Sequence, residues 1–380
     1  MAPSILSRLF SLALGLVTLP VLALAQLCTG NSSEVGSLSY DIGSQDQLDF
    51  LAQNCTVIDA RIRVSSNYTG PFVLRNVTNI TKSIESSATR LSTLEFPDLV
   101  TFPDGLSAFR ARSLTKLSFP ELKQAGTLHV DEIGGLVDVE FPSLQNASGL
   151  GFWGDIERVS FPVLKSVRGR LLVCNAKHCL DEDSVNTTMT ISFPALSRVH
   201  DFEVAGKLSS FEAPELATID DKDGRSGTLR VDVWGQSQPP ISLPKLKDLG
   251  RLGFFAGNFS SLSLPVLRNI TYIAIAPDDP IDIDLPITSA SEITMSGAIT
   301  SVSLPNLQNF SRISVGSTAG IDCDSFLRTL NETTDNAAKG EYEALRCSNY
   351  GENRASMLQG LSSGHGTFVA ITILLLVGSW

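Results

Sequence analysis

Seven residues of the sequence, 278 to 284, hold four carboxylates: Asp278, Asp279, Asp282 and Asp284. Paired carboxylates are what a polysaccharide-cleaving enzyme needs, one to protonate the leaving oxygen and one to act as base or nucleophile. A solvated turn explains them more simply. Asp278 and Asp279 stand between two prolines, and Asp284 fills a polar position that Glu or Ser fills elsewhere in the chain. Calcium would need the glycine-rich nonapeptide of calcium-binding β-rolls, which is missing. The acidic stretch Asp220 to Gly224 reads as an extruded loop. His129, His178 and His200 lack a Ser or Cys partner with which to form a nucleophile–base pair. Cys174, His178 and Cys179 have the right types for a metal, but no second ligand cluster accompanies them. Catalytic, metal and cofactor residues are therefore not expected, and the surviving enzymatic alternative is a carbohydrate-active β-helix enzyme.

Binding chemistry is a stronger candidate than catalysis. Trp153, Trp234 and Phe255 follow apolar alternations at the place where a strand would turn its next residue outward. Outward aromatics on a stacked sheet make flat platforms for sugar rings or for a protein partner, unless an insertion covers them. Trp234 and Phe255 are expected to form one patch on adjacent turns.

The element that positions them is a repeat. Prolines preceded by an apolar residue recur at Pro97, Pro120, Pro142, Pro162, Pro194, Pro214, Pro244, Pro265, Pro286 and Pro305. Two long gaps, 162 to 194 and 214 to 244, interrupt a period of about 21 residues. Ahead of each proline the pattern is apolar, polar, apolar, as in Val139-Glu140-Phe141, the period of a strand with one buried face. Leucine stands two residues past the proline in every copy except Thr288. A second strand follows eight to ten residues on, for example Leu128-His129-Val130 and Ile313-Ser314-Val315. No long helical periodicity competes. The fold class expected is all-β: a right-handed β-helix, or receptor L-domain-like solenoid, of about ten turns with small disulfide-bonded caps, the C-terminal one partly helical. Proline would end the first strand and turn a corner where no ladder donor is needed. A leucine-rich-repeat horseshoe is disfavoured, since no Asn or Cys ladder recurs.

Both ends read as processing signals. Residues 1–25 have one basic residue, an apolar run and small residues before Gln26, the pattern of a secretory signal peptide. Residues 367–380 carry about ten apolar positions, half of what a membrane-spanning helix needs, behind a polar spacer at 349–366. This fits a GPI-attachment signal, with Asn353 as the attachment residue and Asn349 as the alternative. Between these ends lie an N-terminal cap with the first coils (26–90), the repeats (91–320) and a C-terminal disulfide cap (321–348). Asn-x-Ser/Thr sequons start at Asn31, Asn54, Asn67, Asn76, Asn79, Asn146, Asn186, Asn258, Asn269, Asn309 and Asn331. Six cysteines leave fifteen connectivities open; position favours Cys28–Cys55, Cys174–Cys179 and Cys323–Cys347. A formal charge of −11 without a basic cluster argues against nucleic acid. Oligomeric state is left open.

The secretory start, the "L-x-F-P-x-L" turns, the terminal cysteine pairs and the GPI-type tail together resemble the fungal GPI-anchored cell-wall organisation family, whose members carry receptor-L-domain-like repeats. The resemblance covers Cys28 to Cys347. It implies a non-enzymatic surface glycoprotein that supports wall integrity, with wall glycans or wall proteins as partners and a GPI lipid anchor. One departure is the short, mildly Ser-rich stretch from Ser348 to Gly366, which implies a position close to the membrane.

Overall fold

The computed structural model describes residues 26–32, 38–135, 138–176, 179, 187–220, 227–235, 239–257, 259–333 and 345–350. Its organising feature is a parallel ladder in which each strand pairs with the equivalent strand one turn on. Ile62, Ile84, Leu106, Leu128, Leu150, Leu171 and Phe202 are partnered in succession, and the column continues through Leu229, Leu252, Ile273, Ile293 and Ile313. These side chains are at most 2% exposed and form one continuous core with the rest of the coil interior. Strand alternation puts the residues between them on the outside. A β-bulge bends strands such as Gln124–Ile133 into a short first limb and a longer second limb. The third wall of the coil is made of short strands, among them Lys116–Ser118, Asp138–Glu140 and Arg158–Ser160, each followed by a proline corner.

The corner explains the proline. The residue before it donates to the next turn, as Phe141 N does to Ser160 O (3.1 Å) and Phe193 N to Glu212 O (2.8 Å). The leucine two past the proline then donates back to that same apolar residue, for example Leu196 N to Phe193 O at 3.2 Å. Proline thus occupies the second position of a β-turn, where its fixed φ fits and its missing N–H breaks no ladder bond. Thr288 departs from the pattern because its turn is one residue tighter. Its N–H donates to Arg268 O (2.6 Å), the rung bond made one turn later by Gln308, and Ile287 fills the buried place of leucine.

Inside the corner, Phe96, Phe119, Phe141, Phe161 and Phe193 stack ring on ring, with centroids 4.8 to 5.4 Å apart. Each ring is at most 1% exposed. The turns lie about 4.8 Å apart, the ladder repeat itself, so offset stacking is the arrangement the backbone imposes.

The coil makes about twelve turns where the prolines count ten. The additional turns, with strands Arg61–Val64 and Ile84–Ser86, lie before the first proline corner. Leu74-Arg75 takes the place of Phe-Pro there, and Leu74 N still donates to Glu95 O (3.0 Å). Periodicity in proline alone was blind to them.

Both ends are closed, as an open parallel ladder requires. At the start, helix α1 (Gln45–Asn54) buries Leu48 and Leu51 over the core. The Gln45 side-chain amide donates to Val73 O (2.8 Å) and accepts from Val73 N (3.1 Å), imitating a missing strand. At the far end, helix α2 (Cys323–Thr333) buries Phe326 and Leu330, and the strand Leu345–Asn349 adds a last rung. Asn349 repeats the carboxamide device on Ile321, donating to its O and accepting from its N at 2.9 Å each. Disulfides Cys28–Cys55 and Cys323–Cys347 tie each cap to the coil.

Two stability predictions follow from this packing. Phe141→Ala should cost about 3–5 kcal/mol in urea unfolding, and Phe141→Leu under about 1.5, because only the first leaves a cavity within the ring stack. Replacing Cys323 and Cys347 together by Ser should remove roughly 2–4 kcal/mol; an unchanged denaturation midpoint would show that this cross-link contributes nothing to the cap.

Candidate functional site

The outer face of the second limb carries the aromatic and charged groups that could meet a partner. Register there is fixed by the ladder: Trp153 partners Cys174, Cys174 partners Ala205, Ala205 partners Asp232 and Asp232 partners Phe255. Trp234 is therefore not the neighbour of Phe255, as its spacing implied. The true step between these turns is Asp232 to Phe255, 23 residues rather than 21. Trp234 lies one residue past the strand Thr228–Val233 and is 6% exposed. It belongs to a small second cluster outside the main core, with Cys174, Ala176 and Ala205, against which Trp153 and Cys179 pack half-buried. The proposed Trp234 platform is thus covered, which corrects the expectation of an exposed patch there.

One buried amide stands beside this cluster. Asn175, 1% exposed, donates from Nδ2 to Thr187 O (2.9 Å) and accepts at Oδ1 from Lys207 N (3.1 Å). The strand beside it must give way: a Cβ on Gly206 would sit 1.8 Å from Asn175 Oδ1, and Gly206 has φ +139°. Only glycine fits that approach.

Cys174 and Cys179, expected as a disulfide, are free thiols in this structure, and the pairing is corrected accordingly. The Cys179 thiol hydrogen-bonds with Cys174. That contact, reinforced by burial, pushes its pKa far up, because both effects favour the neutral form. A thiol held this way is a poor nucleophile.

One exposed aromatic run remains. Phe109, 45% exposed, lies 5.4 Å from the His129 ring, and His129 meets the Trp153 ring edge-on at 4.5 Å. His129 Nε2 faces Asp131 at 3.5 Å. Sequence reading had left His129 isolated and overlooked Phe109. The ladder pairs His129 with Ser107 and Gly151; Phe109 and Trp153, 20 and 24 residues away, reach it on the diagonal. Further along the same face, Arg170 pairs with Glu203 (2.5 Å) and Arg230 with Asp232 (2.9 Å). Tyr272 stands between Arg251 and Glu292 in one column. Burial first, and then the Glu292 carboxylate, raise its pKa.

The acidic stretch does not assemble like a catalytic pair. Asp282 accepts hydrogen bonds from Ser301 Oγ and Thr300 Oγ1, both at 2.6 Å, and these hold its carboxyl below the usual range. A general acid needs the opposite shift. Asp284 faces outward opposite Ser303. Asp220 pairs with Arg198 at 2.7 Å; His178 and residues 221–224 lie outside the described residues. Among the described residues no group of His, Cys, Asp or Glu is arranged to hold a metal. A shallow depression lined by Ile270, Ser289, Ala290, Ser291, Asn309, Phe310 and Ser311 is found on the first limb, away from Trp153. The sequons at Asn186 and Asn258, and Asn353, also lie outside the described residues.

No family model and no solved structure matches the chain. The chain is similar to Protein ecm33 of Aspergillus fumigatus, 25% identical over 251 residues, which cover 66% of this chain and 59% of that protein. The match thus spans less than two thirds of the relative's own length. The likeness supports the resemblance to the fungal cell-wall protein family carried by the repeats.

The geometry predicts distinct behaviour for Trp234 and Phe109. Trp234→Ala should lower stability by about 3 kcal/mol or more, since it empties the second cluster, whereas Phe109→Ala should leave the melting temperature nearly unchanged. In the native thiol form, iodoacetamide near pH 8 should label Cys179 far more slowly than in urea; equal rates would contradict the buried thiol pair.

Proposed function

We propose, taking kinship with fungal Protein ecm33 as the premise, that this chain is a non-enzymatic surface glycoprotein that supports fungal cell-wall organisation and integrity as a stiff, capped rod. The observation that carries the reading is the unbroken parallel ladder with a sealed apolar interior and both ends closed by helix, carboxamide and disulfide. Such an element resists bending and offers long flat walls in place of a cleft. A GPI anchor at Asn353 would hold it at the outer face of the plasma membrane or deliver it to the wall. Asn349 suits this role less well, because its amide is spent on Ile321 within the last rung.

The contact surface in this reading is the second-limb face around Phe109, His129 and Trp153, where the first ring is open to solvent and the other two are half-buried. Flat rings suit the C–H faces of sugars or an apolar patch on a wall protein. The net charge of −11 favours neutral wall polymers over anionic ones.

Three measurements test this. Phosphatidylinositol-specific phospholipase should release the protein from intact cells. The purified protein should liberate no reducing ends or unsaturated products from β-glucan, chitin or mannan, and sustained turnover would instead establish the enzymatic alternative. Phe109→Ala with Trp153→Ala should weaken co-sedimentation with insoluble wall polysaccharide about tenfold, the loss expected for two ring contacts at roughly 0.5–1.5 kcal/mol each. Unchanged binding in a folded double variant would remove this face from the proposal.

A further inference from the structure

Four of the sequons stand in one column of the coil. Asn79 partners Thr101, Thr101 partners Gln124, and Gln124 partners Asn146. Farther on, Asn269 partners Ser289 and Ser289 partners Asn309. The two groups are joined through Ser166, Arg198, Thr218 and Asp248. The residue after each asparagine is an inward one, Ile80, Ala147, Ile270 or Phe310, so the asparagines lie on the outer side of the first limb, Asn269 and Asn309 exposed, Asn146 half-buried, and Asn79 half-buried with its Oδ1 covered. The sequon hydroxyls, Thr81, Ser148, Thr271 and Ser311, fall on the same outward side two residues on.

We propose that the first limb of this coil carries N-glycans on Asn79, Asn146, Asn269 and Asn309 rising in single file, while none of the described sequons stands on a second-limb strand. This rests on the reading of the chain as a secreted glycoprotein and adds where the sugar stands. The ladder sets the spacing at about 4.8 Å per turn, so Asn269 and Asn309 are roughly 10 Å apart and Asn79 and Asn146 roughly 14 Å. No two of the four occupy adjacent turns, where two glycan stems would collide.

The local hydrogen bonds agree. Asn146 accepts at Oδ1 from Ser166 Oγ (2.9 Å), and Asn269 accepts at Oδ1 from Thr288 Oγ1 (3.1 Å) and Ser289 Oγ (2.8 Å). In both, the next turn engages the amide oxygen and orients the nitrogen that carries the sugar. Asn54 and Asn76, by contrast, spend Nδ2 on Phe50 O (2.7 Å) and Ala52 O (3.1 Å). The shallow depression between Asn269 and Asn309, with Ser289 and Phe310 in its lining, gives the first sugar a bed. In the transfer, Nδ2 attacks the anomeric carbon of a lipid-pyrophosphate-linked oligosaccharide. The C–N bond forms, the C–O bond to pyrophosphate breaks, and the amide loses one proton as the lipid pyrophosphate leaves.

The test is glycopeptide mapping of the full chain secreted from a fungal host, joined to hydroxyl-radical footprinting before and after enzymatic deglycosylation. All four file positions should be occupied. Removing the glycans should raise oxidation at Phe310 severalfold and leave Phe109, Trp153 and Tyr272 unchanged. Asn269→Gln, which keeps the amide acceptor, should fold and lose the mass of one glycan. Glycans at Asn54, Asn67, Asn76 or Asn331 with empty file positions would overturn the file alone, as would deglycosylation that unmasks Phe109, Trp153 or Tyr272. A secreted chain with no glycan at any sequon would overturn the file and the glycoprotein reading together.

Discussion

The rung-on-rung register of the parallel ladder constrains everything else in this molecule. A strand that slipped by one residue would turn its whole apolar set outward, so each turn must return to the same place with the same parity. The chain meets that demand with a standard corner. An apolar residue bonds forward to the next turn, proline bends the chain, and a buried leucine bonds back. The five stacked phenylalanines sit inside this corner at the spacing the ladder dictates. Because every turn is both template and load for its neighbours, the two end turns cannot be left open. Gln45 at one end and Asn349 at the other supply the donor and acceptor that a further strand would have supplied.

A constrained interior frees the exterior. Residues that alternate with the core columns answer only to solvent and to their neighbours above and below, and this is where the three walls diverge. The proline wall shows charge pairs across turns, such as Lys116 with Glu95 at 2.7 Å, which contribute little at an exposed site. The first limb carries four of the sequons. The second limb collects rings and balanced ion pairs, and there Trp234 is buried against Cys174, Ala176 and Ala205. Insertion after Cys174 is tolerated because the ladder resumes on either side: Cys174 pairs with Ala205 as though nothing intervened.

The architecture was legible in the sequence because its causes are local. Proline corners, alternating polarity and buried leucines each leave a mark on neighbouring residues, and capping cysteines are visible at the ends. What escaped was whatever depended on counting along the chain. Turns without proline, such as the one closed by Leu74-Arg75, went uncounted. Trp234 was set beside Phe255 because 21 matched the mean period, while the actual step is 23. The Phe109–His129–Trp153 run was invisible for the same reason. The ladder partners of His129 are Ser107 and Gly151, 22 residues away on either side, and the rings at steps of 20 and 24 meet it across the diagonal. The last strand, Leu345–Asn349, was divided between the partly helical cap (to 348) and the polar spacer (from 349), since its pairing partner at Ile313–Ser317 is not local.

Flat walls also bear on what such a rod can do. Chemistry on a stacked coil needs two groups whose proton affinities are driven apart within a site that excludes water. The outward carboxylate with a resolved shift, Asp282, is held in its charged form by two hydroxyls at the surface, which suits a structural hydrogen-bond acceptor across the rung. Where burial does raise proton affinity, at Cys179 and Tyr272, it quiets the group rather than activating it. Recognition makes no such demand. A polymer lying along the second limb would meet a ring or an ion pair at nearly every turn, and many weak, evenly spaced contacts add through their number.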